Sequence, residues 1–167
     1  MNRMPWIVFA ALLLFAMLFF ANSTPNLPPL IASHFDANGT ATAHMPRAFY
    51  TKFVFFMGVG LPIAMVAFLT LIYSRANDMK MPNRDYWLAP ERIAHTRAVL
   101  VSHGVWFGCL MVAMVCYVHW LILDAHRTVP PHLSNRWVAG GLFVFFLVSG
   151  GWIIAMLRYF RGPRVIT

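Results

Sequence analysis

Four apolar runs set the limits on what this chain can become: Pro5–Ala21, Tyr50–Tyr73, Ala98–Leu123 and Trp137–Tyr159. Wound as a helix, the shortest of them reaches about 25 Å, just enough to cross the hydrocarbon of a bilayer. Only 11% of the residues are charged, whereas a soluble domain carries about 25%. A water-soluble fold with that composition would have too few charges to cover its surface. The expected fold class is therefore all-α, a single membrane domain over residues 1–167 built as an integral membrane bundle of four transmembrane helices.

The basic residues orient the bundle. With the N-terminus inside, nine Lys and Arg lie on the cytoplasmic side: Arg3, Arg75, Lys80, Arg84, Arg92, Arg97, Arg158, Arg161 and Arg164. Four lie on the other side: Arg47, Lys52, Arg127 and Arg136. The excess gives N-in/C-in, with an extracytoplasmic loop at 22–48 and a cytoplasmic loop at 74–97. The net charge of +8 sits beside and between apolar runs, which suits lipid head groups. No basic stripe with interleaved aromatics is present, so nucleic acid is not an expected partner. Arg3 ahead of the first run, with no small-x-small cleavage site before Asn22, reads as an uncleaved signal anchor.

Within the spans the signals are sparse. Gly58, Gly60 and Pro62 predict a kink or loosened helix in the second. Gly104 and Gly108, four apart in the third, allow close helix packing within the chain or in a homo-oligomer. Cys109 and Cys116 lie about 10 Å apart along one helix and cannot pair with each other. Pro90-Glu91-Arg92 reads as the start of the third helix, with Tyr86-Trp87-Leu88 in the head-group region. Asp78 belongs to the charged loop before it, and Pro163 is expected to close the fourth helix.

The most constrained stretch outside the spans is Leu27-Pro28-Pro29-Leu30-Ile31-Ala32-Ser33-His34-Phe35-Asp36-Ala37-Asn38-Gly39. Its prolines push the chain toward extended geometry. Asp36 through Asn38-Gly39 reads as a tight turn with a positive φ at its end. The tract Gly39–His44 offers little to pack and is expected to be partly mobile. Phe35 and the proline arm are expected to dock on the outer helix ends, with His34 and Asp36 making the polar contacts.

The spacing Leu27-Pro28-x-x-Ile31-x-x-His34-Phe35-x-x-x-Gly39, directly after a first membrane helix, resembles the bacterial domain of unknown function 1648. That domain is found at the N-terminus of SdpI-type proteins, which act in toxin immunity and signalling. Pro82 to Arg92 is similar to a stretch of its Gram-negative members. The family's second proline is Ala32 here. The resemblance implies a bacterial inner-membrane protein and supplies no reaction.

Five histidines, His34, His44, His119, His126 and His132, fall toward the outer face with Asp36 and Asp124. Neutral imidazoles with a carboxylate suit zinc or copper, with His34, His119 and His126 as the candidates; solvated or interface histidines are the alternative. A docked loop held by His34 is also a route to pH sensing. His103, inside the third span, is expected to pack against Trp106 or bond to a neighbouring helix. No cofactor is expected. No nucleophile pair, paired carboxylates or phosphate-cradling loop stands out.

The leading reading is a small non-enzymatic protein using Leu27–Gly39 for envelope sensing, toxin immunity or partner binding, the partner being a protein or peptide at the outer face. The alternatives are a metal-binding protein or enzyme on the outer histidines, and a small oligomeric transporter or transporter subunit. The absence of an acid in the middle of a span counts against the transporter.

Overall fold

A computed structural model describes residues 3–75 and 80–162. Asp78, Pro163 and Arg164 lie outside the described residues. Each apolar run is a helix long and apolar enough to cross a membrane: Met4–Asn26, Arg47–Arg75, Ile93–Ala125 and Asn135–Arg161. In order, the elements are α1 (Met4–Ser23), β1 (Leu30–Phe35), β2 (Ala41–Pro46), α2 (Arg47–Phe55), α3 (Leu61–Arg75), α4 (Arg84–Trp87), α5 (Ile93–Ala125) and α6 (Asn135–Arg161). The protein is an all-α four-helix bundle with one small two-stranded sheet.

The second span is not one uniform helix. Between α2 and α3 the residues Phe56–Gly60 form a π-helical turn. The glycine–proline cluster marks this place, since Pro62 removes a backbone donor from the helix ladder. The wide turn has a packing consequence. An added Cβ at Gly58 would stand 2.5 Å from Phe20 Cε2, so the bare glycine makes the slot for that ring.

The core lies between α1, α2–α3 and α5. Phe9, Ala16 and Phe20 of α1 meet Val54 and Val66 of the second span and Val105, Cys109, Val112 and Cys116 of α5. Both cysteines are buried and unpaired, packed as small apolar residues. The Gly104/Gly108 face is used inside the chain. Gly108 receives Val66 and Phe9, and Gly104 receives Leu69. That face is therefore covered by the chain's own helices and is not open to a second copy.

The fourth helix is a peripheral strut. Its only buried residue is Phe160, and it packs mainly against α5. Its end away from the hairpin is held by α4. Trp87 Nε1 donates to the Phe160 carbonyl at 2.9 Å, and Asn83 Nδ2 donates to the Arg161 carbonyl at 2.7 Å. These donors satisfy carbonyls that a helix C-terminus leaves without internal partners. Trp87 is thus buried against Leu100 and Phe160. His103 meets Trp152 of α6 at 5.4 Å between ring centroids, and not Trp106.

Helix approach gives a direct test. A Cβ at Gly108 would overlap Val66 Cγ2, so Gly108→Ala is expected to cost about 1–3 kcal/mol. Gly150→Ala faces open space and is expected to be neutral or to stabilise by up to about 1 kcal/mol. Thermal unfolding of both variants in detergent checks the contrast.

Candidate functional site

The stretch between the first two spans folds as a β-hairpin seated on the helix ends. β1 and β2 run antiparallel, with Ile31 opposite Met45 and Ala32 opposite His44. Gly39–His44, expected to be partly mobile, supplies most of the second strand. The pairing shifts between Ala32 and His34 and again between His34 and Phe35. Such irregularities interrupt the in–out alternation of a strand. Ile31 and Ala32, before the shifts, are both buried, and His34, between the two shifts, is turned out to the solvent.

The tip is the tight turn read from the sequence. Asp36 Oδ1 accepts the Asn38 N–H at 2.9 Å and the Thr40 N–H at 2.8 Å. Gly39 has φ +85°, and an added Cβ there would run into the Leu133 carbonyl. Only glycine meets both conditions without strain. Across that close approach the Leu133 N–H donates to the Gly39 carbonyl at 2.8 Å. Asn135 Nδ2 donates to the Ala37 carbonyl at 2.6 Å, so the tip is tied to the turn between α5 and α6.

The arm is held by other means. Leu27 and Ile31 insert into the core between the helices. Pro28 and Pro29 have no N–H, so the arm can offer only carbonyls. Arg47, at the start of α2, supplies the donors. Its Nη1 reaches the carbonyls of Pro25 at 2.8 Å and Leu27 at 2.7 Å, and its backbone N–H reaches Pro29 at 2.9 Å.

His126 fixes β1 to the end of α5. Its Nδ1 lies 2.7 Å from the Ile122 carbonyl, which can only accept. Nδ1 therefore carries the proton, and Nε2 accepts the Ala32 N–H at 3.1 Å. The polar contacts of docking thus come from His126, Arg47, Asn135 and the 132–133 backbone. The expected providers do not make them. His34 is exposed and, among the described residues, hydrogen-bonds only Ser33 at 3.2 Å, and Asp36 is spent within its own turn. With His34 outside the docking contacts, a pH response routed through His34 as the docking residue has no geometric basis.

Beneath the hairpin lies a fully buried polar group. His119 has no exposed surface, and the rings of Phe19 and Phe20 meet its edge at 5.0 and 5.1 Å. Ser23 Oγ stands 2.7 Å from its Nε2, and the Tyr50 hydroxyl 2.7 Å from its Nδ1. Ser23 has a single hydrogen, and the Phe19 carbonyl at 2.6 Å takes it. Nε2–H must then donate to Ser23, leaving Nδ1 to accept from Tyr50. The chain of donors runs Tyr50 to His119 to Ser23 to the Phe19 carbonyl, and it joins α2, α5 and α1.

This direction decides the chemistry. A serine beside an imidazole resembles a nucleophile with its base, but a base must accept the serine proton. Here the imidazole, which has no exposed surface, donates to Ser23. The arrangement is a clamp between three helices. Among the described residues, no three His, Cys, Asp or Glu groups are placed to hold a metal ion. Of the three candidates, His119 and His126 have both ring nitrogens in hydrogen bonds, and neither joins His34.

Ser23, Tyr50, Arg47 and Asn135 were missed from the sequence because their partners are far away along it. The available signal was positional: Ser23, Tyr50 and His119 each sit near the same end of their helices. Comparison with protein-family models, with curated proteins and with solved structures finds no match.

Two measurements test the geometry. Tyr50→Phe leaves His119 Nδ1 without its donor in an apolar site and is expected to cost about 1–3 kcal/mol, read as a lower unfolding midpoint. His126→Ala removes the acceptor for the Ala32 N–H. Hydrogen exchange of the Leu27–Phe35 segment is expected to speed up, with the spans keeping their protection.

Proposed function

We propose that this chain is a non-enzymatic protein of the bacterial inner membrane whose rigid outer hairpin recognises an extracytoplasmic peptide or protein segment, in toxin immunity or envelope sensing. One observation carries the reading. Leu27, Ile31 and Gly39 are spent on seating the hairpin, whereas Pro28, Leu30, His34 and His44 remain on its exposed surface. A merely structural connection has no need for a rigid element with exposed apolar side chains.

A groove of about 570 Å³ adjoins that surface, lined by Asn26, Pro28, Leu30, His44 and, across it, His126 and Val129. Leu30 is 61% exposed and Val129 98% exposed. Apolar side chains flanked by imidazoles and an amide suit a segment with one apolar anchor and neighbouring polar groups. The resemblance of Leu27–Gly39 to the domain of unknown function 1648 supports the membrane and the class of role. The excess of Lys and Arg at the opposite ends of the helices supports placing the hairpin outside.

A deletion strain challenged with secreted peptide toxins is the decisive experiment. It is expected to lose survival, wild-type protein is expected to restore it, and the double variant Leu30→Asp/His44→Ala is expected not to, at equal membrane abundance. Equal survival of the deletion and wild-type strains would remove the immunity role. Full rescue by the double variant would remove the groove as the recognition surface.

A further inference from the structure

A second concave surface lies within the membrane-spanning region, independent of the hairpin groove. It is a cleft of about 740 Å³ between α5 and α6, lined by Ala113, Tyr117, Trp120, Gly140, Val144 and neighbouring apolar residues. It exists because the facing residues are small: Ala113 on one wall, Gly140 on the other. Nothing stands within 4 Å of a Cβ built at Gly140. Gly141, one residue on, is filled by the Tyr117 ring.

The walls offer almost no polarity. The one hydroxyl in them, on Tyr117, is spent on the Trp137 carbonyl at 2.5 Å. An occupant therefore gains only apolar contact along the shaft. Along α6 the lining runs from Trp137 to Val148, about 16 Å at the helical rise. That is about half the thickness of a bilayer's hydrocarbon core, the depth of one leaflet.

The two ends of the cleft differ. At the hairpin end Tyr117, Trp120 and Trp137 pack together, with 5.7 Å between neighbouring ring centroids. Such clusters sit at the head-group level. Beside them is Arg136, exposed and without an ion-pair partner among the described residues. No acid lies in the first turn of α6 to offset it. The nearest acid by sequence across the turn, Asp124, already faces Arg127 at 3.7 Å. The mouth is positive, and the shaft is hydrocarbon.

We infer that the α5–α6 cleft is a lipid site holding one acyl chain of an anionic phospholipid from the hairpin-side leaflet, with its head group at Arg136. A helix of a second copy is the competing occupant. It would have to cover the unpaired Arg136 and would gain nothing from a positive mouth.

Native mass spectrometry of the full chain tests this, after reconstitution in equal palmitoyl-oleoyl phosphatidylglycerol and phosphatidylethanolamine. The wild-type protein is expected to keep one phosphatidylglycerol in preference to phosphatidylethanolamine. Gly140→Leu puts several methylene-sized groups into the cleft from a position where a Cβ meets nothing within 4 Å, and lipid retention is expected to fall about tenfold or more. Ala113→Leu makes the same change from the other wall, should Gly140→Leu fold poorly. Arg136→Ala is expected to keep the bound lipid and lose the head-group preference. Wild-type retention in folded Gly140→Leu or Ala113→Leu protein would overturn the site, as would chain-to-chain crosslinks from a photoreactive residue at Phe145. An unchanged preference in Arg136→Ala would overturn the anionic head group.

Discussion

A fully buried imidazole holds the hairpin end of this bundle together. In an apolar surrounding, each unpaired ring nitrogen of His119 would carry a penalty of about 1–3 kcal/mol. Pairing both requires a donor and an acceptor on opposite sides of the ring, and α2 and α1 supply them as Tyr50 and Ser23. The bond set therefore fixes the relative height of three helices. Apolar packing alone tolerates sliding between helices, since one greasy contact replaces another. A hydrogen-bond chain with a defined proton direction does not.

The hairpin depends on that fixed platform. Leu27 and Ile31 fill space between the same helices, and Phe20, which touches His119, reaches its place through the slot at Gly58. The π-helical turn is thus part of the same construction. At the rim, the hairpin is closed by contacts to groups that a helix end or turn leaves open: the Ala32 N–H to His126 and the Gly39 carbonyl to Leu133. What results is an anchored sheet with its exposed side chains in fixed positions, which suits recognition better than a mobile loop does. The lipid-facing α6 stands apart from this core. Its loose packing against α5 leaves a cleft with Ala113 and Gly140 in its facing walls.

Much of the architecture was legible in the residues themselves. Run length and apolarity announce four membrane helices, because a bilayer admits few other solutions. The Asp36–Gly39 turn was legible because its chemistry is local: a carboxylate accepting nearby N–H groups and a glycine at positive φ. The strands were not. In β1 the shifted pairing around His34 breaks the alternation by which a strand announces itself, and β2 does alternate, but with residues as small as Ala41, Thr42 and Ala43 that give little hydrophobic signal. The docking partners were also hidden, and the motif's most conspicuous polar residue, His34, proved to be outside them.

The sequence by itself determined the spans, the charge asymmetry across them, the glycine turn and the place where the second helix loosens. These follow from hydrophobic run length, charge and local backbone chemistry, which neighbouring residues settle among themselves. Tertiary structure alone decided that His119 joins Ser23 and Tyr50, that Gly108 packs inside the chain, and that Trp87 caps α6. The reason is that hydrogen bonds and close packing act over a few ångströms in space, and residues such as Ser23 and His119 come within that range only once the helices stand side by side.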